Sequence, residues 1–152
     1  MSTTIKYADL PKYVGKEVGA SEWVKIDQDR INKFADATGD HQWIHVDAAR
    51  AATESPFKTT IAHGFLTLAL VSLLLRGTMN PTGLRLAINY GLNRVRFPSP
   101  VPAGSRVRGR FTVGAVERVA EAIQVTWQVT VEREGSDKPC CVAEWLVRYY
   151  PA

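Results

Sequence analysis

Residues 62–76 read Ala-His-Gly-Phe-Leu-Thr-Leu-Ala-Leu-Val-Ser-Leu-Leu-Leu-Arg, and Gly77 follows. The stretch is apolar on nearly every side of a helix, opens at His63-Gly64, and closes on a basic residue and a glycine, as helix C-termini do. Thr67 and Ser72 interrupt its most apolar part, Phe65 to Leu75. That run is well short of the roughly 18 residues a membrane span needs. A buried helix over Ala62–Arg76 is therefore expected, and something must wrap it.

The second half of the chain supplies the wrapper. Leu84–Phe97, Ser105–Val119, Ala122–Arg133 and Cys140–Tyr150 are rich in Val, Ile, Thr and aromatics, with Pro, Gly and Asp clusters between them. These are strand signals. In the third, Ile123, Val125, Trp127, Val129 and Val131 alternate with Gln124, Thr126, Gln128 and Thr130, the period of a sheet with one buried face. Short turns such as Glu134-Gly135-Ser136-Asp137 imply antiparallel pairing. Upstream, Asp27 can cap a helix in which Ile31, Phe34 and Ala35 share a face and which Gly39 stops. A second short helix is expected from Asp47 to Glu54, ended by Ser55-Pro56-Phe57. Lys16–Ile26 lacks helical spacing and reads as extended. Helices gathered ahead of strands give an α+β class, an antiparallel sheet curled around one long helix, in one domain over residues 1–152.

Composition excludes several function classes. The chain has 152 residues, 45% of them hydrophobic, and a net charge of +4, ordinary for a globular domain. No nucleic-acid motif accompanies the mild positive charge, and the arginines recur along strands rather than in a block, so solvated sheet faces account for it. Met1 to Lys6 lack the apolar core of a secretory signal, so a cytoplasmic protein is expected. Cys140 and Cys141 are adjacent and would point to opposite faces of a strand, which suits two reduced thiols.

Chemistry concentrates at Gly39-Asp40-His41-Gln42-Trp43-Ile44-His45, just beyond a helix end, where polar groups on a loop can be held by a rigid scaffold. In a continuous helix Asp40 and His45 would sit about 140° apart; only an irregular turn, which Gly39 permits, lets them converge. A carboxylate beside an imidazole is an acid/base pair able to hold one water. The spacing alone also suits an aspartate capping the next turn beside a surface histidine. A metal site from His41, His45 and His63 is another possibility, but no cysteine pair or HExxH spacing supports it, and no metal is expected. Gly64, in the first turn of the apolar helix, can present free N–H groups to a developing oxyanion or merely allow close packing. Ser72 can be a tolerated helix hydroxyl.

Phe34 to His45, with its Ala-x-Gly-Asp-x-x-x-x-His core, resembles the hydratase-2 motif of MaoC-like dehydratases. Ile61-Ala62-His63-Gly64-Phe65-Leu66 is similar to that family's second block and Val95-Arg96-Phe97-Pro98-Ser99-Pro100-Val101-Pro102-Ala103-Gly104 to its third. Gln42 and Trp43 replace the family's usual Asn-Pro, and in this form the motif resembles the nodulation-protein-N-like branch. The resemblance implies a hotdog fold, an (R)-specific enoyl-CoA hydratase or 3-hydroxyacyl-CoA dehydratase activity, and a homodimer acting on an acyl-CoA thioester. It implies no cofactor beyond the CoA of the substrate and neither a nucleic-acid nor a membrane partner. Asp40 and His45 match the catalytic pair and Gly64 the oxyanion donor; Gln42, His63 and Ser72 fall near the substrate, and Arg94 or Arg96 could meet the CoA phosphates. A hotdog acyl-CoA thioesterase, or a non-catalytic acyl-CoA-binding module, would share fold and ligand.

Overall fold

The computed structural model describes residues 2–152. Strand β1 (Thr3–Lys6) and a 3-10 helix (Tyr7–Tyr13) lead into β2 (Glu17–Ala20) and β3 (Val24–Ile26), the two short strands into which the expected extended segment divides. Helix α1 (Gln28–Thr38) starts where the Asp27 carboxylate accepts from the Arg30 N–H and ends at Gly39, whose φ of 80° is left-handed. A one-turn helix, α2 (Trp43–Val46), precedes α3 (Ala48–Glu54), which Asp47 caps through the Arg50 N–H.

The predicted single long helix is divided. Helix α4 (Gly64–Ala69) and helix α5 (Val71–Thr78) meet at Leu70, whose ψ of −11° flattens the turn, although Leu70 N–H still reaches Leu66 and Leu74 N–H still reaches Leu70. The helix runs one residue past Gly77 because the Thr78 hydroxyl bonds back to the Leu74 carbonyl. Next come β4 (Met79–Thr82), β5 (Leu84–Arg96), β6 (Ser105–Val119), β7 (Ala122–Arg133) and β8 (Cys141–Pro151). The last four match the sequence reading to within a residue.

The main sheet runs β2-β6-β7-β8-β5, with β3 also on β6, and all these pairs are antiparallel. Apart from it, β1 pairs parallel with β4. The inner face packs on the helices: Leu66, Val71, Leu74 and Leu75 meet the expected Ile123, Val125, Trp127, Val129 and Val131 in one core. Trp127 donates to the Tyr149 hydroxyl, so its one polar atom is satisfied inside. Gln124, expected to face solvent, is buried because it bridges Glu117 and Arg148 on the outer face. The wrapping is incomplete on one side: Phe65 is 70% exposed and Leu73 40%.

Three of the four arginines of β6 are paired, Arg106 with Glu134, Arg108 with Glu132 and Arg110 with Glu17, in keeping with the solvated sheet face expected for the positive charge. Cys140 and Cys141 are both free and buried, and burial pushes their thiols up to about 11 and about 12. Among the described residues no helix is long and apolar enough to cross a membrane.

Candidate active site

Gly39 reverses the chain at the end of α1, and Asp40 folds over the next turn, its Oδ1 accepting from the Gln42 N–H at 3.3 Å. Gln42 then stands at the N-cap of α2 and its carbonyl accepts from the His45 N–H, which fixes the turn carrying the histidine. This is the irregular path that Asp40 and His45 need to converge.

Two layers hold His45. Its Nδ1–H donates to the Ile61 carbonyl at 2.7 Å, and the Ile61 N–H donates in turn to the Ile44 carbonyl. The Gln28 amide donates to the His45 carbonyl at 2.7 Å while accepting from the Thr60 hydroxyl at 2.6 Å. With Nδ1 committed to a carbonyl, Nε2 carries the lone pair. Burial is the main cause that pushes the His45 pKa below the usual imidazole value; the nearby His63 adds to it, while the Ile61 carbonyl and Asp40 pull the other way. The ring is thus a base already free of its proton at neutral pH.

His63 completes the cluster. Its ring stacks on that of His45 at 3.8 Å between centroids, and its Nε2–H donates to the Asp40 backbone carbonyl at 2.9 Å. One atom each from Asp40, His45 and His63 lie within 4.8 Å of one another, close enough to share one water or one ion. The Asp40 side chain is half exposed, so the gap opens to solvent. His41 takes no part: it pairs with Asp36 at 2.9 Å, a bond that raises its pKa.

Gly64 follows His63 as the first residue of α4. Neither its N–H nor that of Phe65 has a partner among the described residues, as the first turn of a helix leaves them. A Cβ at Gly64 would come within 3.0 Å of the Phe97 ring, so close packing also requires this glycine.

The other residues singled out lie apart. Ser72 lines a cleft of about 700 Å³ between α5 and the strands β5 and β8, with Leu75, Trp145 and Tyr149. Arg94 and Arg96 pair in register with Glu144 and Val142 and share the outer face of the sheet with them, so within one copy neither is brought to the cluster. Gln28, Thr60 and the Ile61 carbonyl were not found from the sequence, since contacts across 16 to 32 positions leave no local spacing.

Comparison with known proteins identifies the family. Residues 9–135 match the family described as MaoC like domain. The chain belongs to that family. It is 57% identical over 150 residues to 3-hydroxyacyl-thioester dehydratase Z of Mycobacterium tuberculosis (strain CDC 1551 / Oshkosh), an alignment covering 98% of this chain and 99% of that relative. It is 50% identical over 149 residues to Nodulation protein N of Rhizobium leguminosarum bv. viciae, covering 93% and 89%. Among solved structures, the unliganded R-hydratase PhaJ1 of Pseudomonas aeruginosa superposes with a TM-score of 0.69 at 26% identity, covering 91% of this chain and 83% of that one. The fold of this MaoC-like chain is the hotdog.

Proposed function

We propose that this chain is an (R)-specific enoyl-CoA hydratase, equally a 3-hydroxyacyl-thioester dehydratase, that adds or removes water at the C2–C3 bond of a fatty acyl thioester. The observation that carries the reading is the His45 ring, whose Nδ1–H is committed to the Ile61 carbonyl and which lies in a cluster where one ligand atom each of Asp40, His45 and His63 fall within 4.8 Å of one another. The near full-length likeness to a protein named as a 3-hydroxyacyl-thioester dehydratase supports the same reading.

In the hydration direction, His45 Nε2 takes a proton from a water that the Asp40 carboxylate also holds, and the water oxygen attacks C3 of a trans-2-enoyl thioester. The thioester oxygen gathers negative charge and is met by the unpartnered Gly64 N–H at the start of α4. The proton held on His45 Nε2 is then passed by way of the Asp40 carboxylate to C2, so one H and one OH of the same water end up on the two carbons and both residues return to their starting states. The CoA is part of the substrate, and no resident cofactor or metal enters the reaction. The working unit is a homodimer in the cytoplasm, each copy contributing the single domain of residues 1–152.

Two assays run side by side test this. Enoyl absorbance at C2–C3 should change on adding protein, with no free thiol released; release of thiol without that change would favour a thioesterase, and binding without either a carrier module. A chelator should leave the rate unchanged, and a stoichiometric metal in the purified protein would overturn the water-only site.

The pH dependence follows from the buried imidazole. The base must be unprotonated, so kcat/KM rises with pH through the His45 pKa. Because burial lowers that pKa, the acidic limb should fall below the ordinary imidazole value of about 6.5. A limb centred above it would mean that His45 is not the base.

A further inference from the structure

None of the steps above uses His63, although it is only 3% exposed, less than His45 itself. Its Nε2 faces the Asp40 carbonyl and therefore carries the proton. Its Nδ1, the lone-pair nitrogen, is buried with no partner among the described residues. A folded protein rarely leaves a buried polar atom unsatisfied, so such an atom calls for an explanation. The ring also lies flat on His45, at 24° between planes, and its centroid is 4.9 Å from that of Phe34. Any smaller or differently shaped side chain would satisfy part of this and lose the rest.

We propose that His63 is a positioning residue: by its stack on the His45 ring and its bond to the Asp40 carbonyl, it fixes the gap across which those two residues hold water. The role rests on the hydratase reading. Asp40 and His45 come from a turn whose aspartate side chain is half exposed, accepts the Gln42 N–H at 3.3 Å and lies 4.0 Å from the His63 Nε2. Local structure alone would let the carboxylate drift. His63 arrives from a different segment, just ahead of α4, and ties the Asp40 backbone to the plane of the base. The same residue begins the turn that bears the Gly64 N–H, so water gap and oxyanion donor share one anchor. The cost of an unpartnered Nδ1 is then explained by what the ring holds rather than by what that nitrogen bonds.

Two substitutions separate the contributions. His63→Phe keeps a ring for the stack and loses the donor; His63→Gln keeps an amide donor and loses the ring. Each should lower kcat on the order of 10²-fold with KM within about twofold, as expected when reacting groups are misplaced by an ångström. The groups facing His45 are His63, Asp40 and the Ile61 carbonyl, of which only His63 lowers its pKa. Both variants should therefore move the acidic limb of the rate profile to higher pH, His63→Gln further, since water then reaches the ring face. Folded variants that keep kcat within about twofold and an unmoved limb would overturn the proposal. A measurement free of turnover accompanies it: nitrogen NMR of the unsubstituted protein should find the His63 proton on Nε2 and the His45 proton on Nδ1. A His63 proton on Nδ1 would overturn the role even in an active enzyme, whereas inactivity of the unsubstituted protein on every enoyl thioester would refute the hydratase reading instead.

Discussion

Asp40→Asn and His45→Gln should each lower turnover of an enoyl-CoA by at least about a hundredfold while the protein stays folded. Asparagine keeps an oxygen for the Gln42 N–H, so the turn after α1 survives, but it cannot pass a proton to C2. Glutamine at 45 keeps an amide donor for the Ile61 carbonyl and the backbone link to Gln28, yet it offers no basic nitrogen. Circular dichroism and a melting curve establish folding, and enoyl absorbance gives the rate. Near-full activity in either folded variant would remove that residue from the mechanism.

The second large effect concerns assembly. Strand β5 is the last strand of the sheet, and its far side has no neighbouring strand among the described residues. Leu86, Ile88, Tyr90 and Leu92 on it are 41%, 50%, 57% and 42% exposed. A long edge strand with bare apolar side chains invites pairing with another strand, and a two-fold pairing of like edges is the simplest closed assembly. The exposed Phe65 and Leu73 of the central helices add to the apolar surface left uncovered. Leu86→Lys combined with Ile88→Lys puts two charges on the outer face of this strand, away from the cleft that Ser72 lines. Light scattering should then report a single chain mass in place of twice that mass, and activity should fall by roughly 10²-fold or more as the site loses its neighbour. A monomer that stays fully active would refute both the dimer and a site that depends on it.

Much of the fold was legible in the sequence because its signals are local. Asp27 and Gly39 bound α1 through a side-chain cap and a left-handed φ, both properties of single residue types. The four long strands show in Val, Ile and Thr content and in the alternation along β7. What escaped notice depends on distant partners. The β1–β4 pair sets Ile5 against Pro81, and proline is an unexpected strand residue unless it lies at an edge. The flattened turn at Leu70 follows no glycine or proline. In the site, Asp40 and His45 were legible as types at a spacing, and Gly39 explained how they could meet. Gln28 and Thr60 were not, because an amide and a hydroxyl far apart in the chain look like ordinary surface polarity until the fold joins them. Arg94 and Arg96 show the reverse: their place next to a recognisable block said nothing of the sheet face they would occupy.

The partner that orients His45 is a main-chain carbonyl, not a carboxylate on a replaceable side chain. Residues 60–62 are themselves stitched to residues 101–103, with Ala62 N–H on Val101 and Ala103 N–H on Thr60. No exchange of the Ile61 side chain deletes that acceptor, because every amino acid carries the same carbonyl. The tautomer of His45 is therefore insulated from point mutation at the position that sets it. Genetic drift can rewrite residue 61 within what packing allows, while the proton on the His45 ring stays where the backbone keeps it.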